Sequence, residues 1–76
     1  MTKAQFLSEL EDLMGLARGA LIGSKPLSDF AEWDSMQVLN TITLIEEKLG
    51  YVLDGSSVGK AKTADDIIGL LGDRIH

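Results

Sequence analysis

Apolar residues recur along this chain at helical rather than strand spacing. Phe6, Leu10, Leu13, Met14 and Ala17 fall on one stripe, with Leu7 at its edge and Glu9, Glu11 and Asp12 off it. The spacing predicts a first helix over residues 3–16. Thr2 stands where an N-cap belongs and Gln5 at the third helical position, so the two can cap each other's backbone N–H groups as a capping box. A second stripe of Val38, Leu39, Ile42, Ile45 and Leu49 predicts a helix over residues 35–49. Asp34 is its N-cap, Gln37 offers a second capping box, Trp33 and Val38 take the two positions of a hydrophobic staple, and Gly50 closes the end. Leu44 lies off this stripe. We expect it to meet a second layer of core, since a central helix is covered on two sides; contact with a partner is the other reading.

The third long helix follows Thr63, a good cap, with Asp65 and Asp66 in its first turn, where carboxylates complement the helix's positive end. Ala64, Ile67, Ile68, Leu71 and Ile75 carry its period. Gly69 and Gly72 each cost roughly 1 kcal/mol against alanine, so this helix should depend on packing.

The connections are of two kinds. Residues 15–33 contain Gly15, Gly19, Gly23 and Pro26, which argue against a continuous helix. The same segment holds Leu16, Ala20, Leu21, Ile22, Leu27 and Phe30, so it should lie over the core, with a short helical turn near residues 27–30. Residues 51–62 leave room for a short helix near 56–60. Three longer helices and one short one predict an all-α four-helix bundle with a long first connection, in a single domain over residues 1–76. That connection is long enough for the first two long helices to be other than antiparallel neighbours. The stripes can satisfy one another within one chain, so a monomer is expected.

Composition narrows the function classes. A 76-residue domain buries only about 60% of its unfolded surface, and without cysteine it has no disulfide to help. Twelve acidic residues face seven basic ones, for a net charge of −5. That balance argues against nucleic acid, which needs clustered Lys or Arg, and favours solubility and basic protein partners, a plain acidic surface being the alternative. No stretch approaches the roughly 18 apolar residues of a membrane span, so no membrane insertion is expected. The first residues lack a basic start followed by an apolar run, and a cytoplasmic location is the expectation.

Catalytic chemistry has little to work with. His76 is the sole histidine and the last residue, where chains fray, so neither a Ser–His pair nor a histidine metal site is expected. There is no thiol nucleophile and no glycine-rich phosphate loop. We therefore expect no catalytic residues, no metal and no enzyme.

Asp34-Ser35-Met36 stands out against this background. A serine in the first turn of a helix turns its hydroxyl outward at the positive end, which suits attachment of a phosphate-linked group. Read alone, the tripeptide fits an ordinary first-turn serine better. Met36, Asn40, Thr43 and Glu47 recur beside Ser35 along one side of the same helix. They form a candidate docking strip, with Glu46 and Glu47 able to meet basic patches; a solvated face is the alternative.

Asp34-Ser35-Met36, Glu46-Glu47-Lys48-Leu49-Gly50 and Lys62-Thr63-Ala64-Asp65-Asp66-Ile67-Ile68 together resemble the acyl carrier protein family, over about residues 27–71. The resemblance implies a four-helix bundle with a covalent 4′-phosphopantetheine on Ser35, Asp34 and Met36 completing the attachment motif. A phosphopantetheinyl transferase would install the arm from coenzyme A. Acyl- or aminoacyl-loading and acyl-transfer enzymes would then use its thiol. The family adds for Asp34 a role in transferase recognition or magnesium positioning beside its role as a cap. The sequence departs from housekeeping fatty-acid carriers at Gln37, Asn40 and Lys48, where a more acidic second helix is usual, and at Trp33. These point to a specialised stand-alone carrier rather than the housekeeping fatty-acid one, serving a fatty-acid, polyketide, nonribosomal-peptide or related specialised pathway. The alternative is an interaction module of the same fold that is never modified.

Overall fold

In the computed structural model, which describes residues 1–76, four helices follow one another: α1 (Lys3–Met14), α2 (Ser35–Leu49), α3 (Gly55–Lys60) and α4 (Ala64–Leu71). Short 3-10 turns occupy Leu27–Asp29 and Gly72–Arg74, and there is no strand. The fold is a small all-α bundle in which α2 packs against both α1 and α3.

Caps set most of the boundaries. Thr2 and Gln5 form the expected capping box on α1, and Gly15 ends the helix in the left-handed conformation at φ 72°. The helix thus stops at Met14, before the predicted residue 16, and Ala17 is exposed rather than on the core stripe. Asp34 caps α2 through its bond from Gln37 N at 2.9 Å. The reciprocal half of a box is missing there: Gln37 Oε1 accepts from Asn40 instead, at 3.4 Å. Gly50, at φ 65°, closes α2. Asp54 caps α3, and Thr63 and Asp66 make a complete capping box on α4.

Phe6, Leu10, Leu21, Leu27, Leu44, Ile45, Leu53, Val58, Ala64, Ile67, Leu71 and Ile75 make one buried core, drawn from all four helices and the connections. Leu44 is in it, as expected. Leu39 is not: it is 59% exposed, while Thr41 is fully buried. At 100° per residue, Val38, Thr41, Ile42, Ile45 and Leu49 share one face of α2, and Leu39 lies well off its centre. Thr41 tolerates burial because its hydroxyl donates to Gln37 O at 2.7 Å.

The first connection lies over the core, as its apolar residues foretold, and is pinned at several points. Glu11, placed off the stripe by its charge, is 3% exposed and accepts Gly19 N at 2.8 Å and Leu21 N at 3.0 Å. Arg18 reaches its other oxygen at 3.8 Å. Further on, Gly23 O accepts Asp65 N at 2.9 Å, and Pro26 and Thr63 form an isolated antiparallel bridge with Leu27 N donating to Lys62 O at 2.8 Å.

The chain ends differently from the prediction as well. Gly72, at φ 56°, stops α4 at Leu71, and Ile75 enters the core from beyond a 3-10 turn. His76 is tied down, not frayed: its N donates to Met1 O at 3.1 Å and its O accepts Lys3 N at 3.2 Å. No cluster of metal-ligating side chains is present.

Candidate functional site

Ser35 is the first residue of α2 and is exposed. Its placement follows from Asp34, which holds an extended backbone at φ −143° and takes the Gln37 N–H with its own carboxylate. The cap is made by the neighbour, so Ser35 Oγ is left outside the capping bond. It lies at the helix end where unpaired N–H groups gather, with the aligned peptide dipoles of fifteen residues behind it. That position stabilises an attached anion by about 0.3–1 kcal/mol at an exposed end, and Asp34 already draws on the same field. Electrostatics is thus a small part of what the site offers; a fixed, accessible oxygen on a rigid helix is the larger part.

The strip beside Ser35 is only partly as read from the sequence. Met36 is 62% exposed, and Thr43, Glu46 and Glu47 are exposed, whereas Asn40 is half-buried and bonded to Gln37. Thr43 donates its hydroxyl proton to Leu39 O at 3.1 Å, so the strip has one polar donor fewer than the sequence suggests. The residue that sequence reasoning missed is Leu39. With Met36 it places two large apolar side chains on the open side of α2, ahead of the Glu46–Glu47 pair. The choice lay between flanks: Leu39 and Thr41 stand on opposite sides of the Val38, Ile42, Ile45 and Leu49 line, and apolarity alone favoured Leu39.

Next to this end of α2 lies a surface cleft of about 660 Å3, bounded by residues 26–28, Trp33 and residues 59–63. The Pro26–Thr63 bridge holds its two walls together. Trp33 is half-buried, packs against the core and donates its backbone N–H to Phe30 O at 3.1 Å. It belongs at once to the core margin, as its staple position predicted, and to the cleft wall.

Two helix-capping carboxyls are held below the ordinary carboxylate value of 3.8. The backbone N–H groups of Lys62 and Thr63 do this for Asp66, at 2.9 and 3.1 Å, and the Ser57 N–H does it for Asp54, at 2.7 Å. Both are cap residues, so their charge serves helix ends.

No helix is long and apolar enough to cross a membrane. Comparison with protein-family models, with curated proteins and with solved structures finds no match to this chain.

Proposed function

We propose that this protein is a carrier whose Ser35 bears a covalent 4′-phosphopantetheine, and that it presents thioester-bound acyl or aminoacyl groups to a succession of enzymes. The observation that carries the reading is the exposed first-turn position of Ser35, with its cap made by Asp34. In the modification, Ser35 Oγ exchanges its proton for a bond to phosphorus, and the nucleotide half of coenzyme A leaves. The group supplies, when bound, the thiol that a chain without cysteine lacks. Each remaining duty falls to the protein. Asp34 fixes the helix end and with it the exit direction of the serine. Met36 and Leu39 give a transferase or acyl-transfer enzyme an apolar anchor beside the attachment oxygen. Glu46 and Glu47 complement basic rims on such partners and set encounter rate more than affinity. Nothing in the chain catalyses the chemistry of the cargo. A specialised pathway suits the departures at Trp33, Gln37, Asn40 and Lys48, and we place a monomeric carrier in it, in the cytoplasm.

Intact mass after incubation with coenzyme A and a broad-specificity phosphopantetheinyl transferase tests this directly. One phosphopantetheine adduct, absent in Ser35→Ala with the fold unchanged by circular dichroism, is the expected result. No adduct with several competent transferases would favour an unmodified helical interaction module docking through Met36 and Leu39.

A further inference from the structure

The cleft beside Trp33 has a charge character opposite to that of the whole chain. Twelve acidic and seven basic residues give the protein a net charge of −5, yet the nine residues lining the cleft include Lys60 and Lys62 and no acid. Carboxylates flank this lining without forming part of it: Asp29 follows Ser28, Glu32 and Asp34 stand either side of Trp33, and Asp54 and Asp66 cap helices while attracting Lys60 and Lys62. Leu27, Ala61 and Trp33 supply apolar wall. A volume of about 660 Å3 lies within the range of small-ligand sites, roughly 300–1,000 Å3. Trp33 stands two residues before Ser35, so their Cα atoms are at most about 7 Å apart by chain geometry. Ser35 is not itself in the lining, so an arm leaving it starts near the cleft wall at Trp33 and can fold back to enter.

We infer that the cleft holds the cargo end of the arm, and that its lysines select a short acyl group ending in a carboxylate. This rests on the carrier reading above. The short aliphatic part of such a group would lie against Trp33 and Ala61, with its carboxylate between the Lys60 and Lys62 ammonium groups. A neutral chain of the same length would leave those lysines to water and gain only the apolar contact. Because the cleft is open, the pairing is weak enough for the cargo to be released to a docked enzyme, and salt should weaken it further.

The test loads the full chain, by transferase, from coenzyme A, pentanoyl-coenzyme A and glutaryl-coenzyme A in parallel. Intact mass, with Ser35→Ala as the blank, first establishes each adduct on Ser35. Absence of all three would overturn the carrier reading itself and this inference with it. With the adducts in hand, amide and indole NMR shifts and Trp33 fluorescence are compared at low and high salt. The glutaryl form should show shifts at Trp33 and residues 61–63 that the pentanoyl and unacylated forms lack. The shifts should shrink with salt and be lost in the Lys60→Gln/Lys62→Gln double variant. Both lysines are exposed, so that variant should keep its thermal midpoint. Equal shifts from the glutaryl and pentanoyl forms, shifts from the bare arm alone, or no shift in any form would each overturn the inference while leaving the carrier reading intact.

Discussion

The buried carboxylate of Glu11 accepts the Leu21 backbone N–H at 3.0 Å, through the same oxygen that takes the Gly19 N–H at 2.8 Å. One side chain of α1 thereby organises the start of a connection that would otherwise have few backbone partners. The two bonds are not equivalent. Gly19 is exposed, so water can replace Glu11 there; Leu21 is 3% exposed, so its N–H has no such substitute. Glu11→Ala should therefore cost about 1–3 kcal/mol, chiefly from the orphaned Leu21 N–H. Glu11→Gln, which keeps an acceptor oxygen, should cost less. Urea unfolding of the two variants orders them, and equal losses would show that the negative charge, not a neutral acceptor oxygen, is what Glu11 contributes.

Gly23 and Asp65 make a second lock, this one steric. A Cβ on Gly23 would overlap Asp65 Oδ1 and come within 2.9 Å of its Cγ, while Gly23 O takes the Asp65 N–H. Gly23→Ala should cost about 1–3 kcal/mol, as overpacking does. Asp65→Ala alone should cost little, because Lys3, 2.8 Å from Asp65 Oδ1, is open to water and the change also removes the buried Oδ1 itself. The double variant should be more stable than the sum of the singles implies, since the offending carboxylate is gone. A double-mutant cycle by urea denaturation reads the coupling; strict additivity would place the strain elsewhere.

These two locks mark the limit of what the sequence discloses. The caps at Thr2, Asp34, Asp54 and Thr63 involve residues at most three apart, and their chemistry is visible in the string except at Asp54, whose helix is only six residues long. The location of Ser35 at a helix start follows from the same local logic. Glu11 could not be read that way, because its partners are backbone N–H groups in a segment without periodicity. The exposure of Leu39 depends on which side of α2 its neighbours cover, a tertiary fact that overrides the choice between adjacent stripes. The cleft is further removed still: residues 26–28 and 59–63 are distant in sequence and are brought together by the Pro26–Thr63 bridge.

The caps also predict an acid response. Asp54 and Asp66 have carboxyl pKa values below the ordinary 3.8, because backbone N–H groups donate to their ionised forms. A carboxyl depressed in the folded state takes up its proton more readily when unfolded. Its stabilisation is thus fully present above about pH 4 and is lost as pH falls through the folded-state value. Thermal midpoints should be insensitive to these groups at neutral pH and should decline below about pH 4. Asp54→Asn/Asp66→Asn, with side-chain oxygens still able to accept but no charge to titrate, should flatten that decline. An unchanged acid limb in the double variant would assign it to other carboxylates.

The last prediction turns on the phase of α2. Ile45 is fully buried and Leu39 is 59% exposed, although both are apolar and the sequence places them on one stripe. Ile45→Ala should cost about 2–5 kcal/mol, as large-to-small core changes do. Leu39→Gln should fall within about 0.5 kcal/mol of the parent, because a surface side chain that touches nothing unusual contributes little. Function should rank them the other way. If Met36 and Leu39 anchor the enzymes that act at Ser35, Leu39→Gln should lower transferase kcat/KM while its thermal midpoint stays put. Ile45→Ala, assayed well below its melting temperature, should be modified at nearly the parental rate. A surface anchor and a core residue thus separate on two axes, stability and partner turnover. Parental transferase kinetics for both Leu39→Gln and Met36→Gln would remove this face from the docking surface and direct the search to the rim of the cleft.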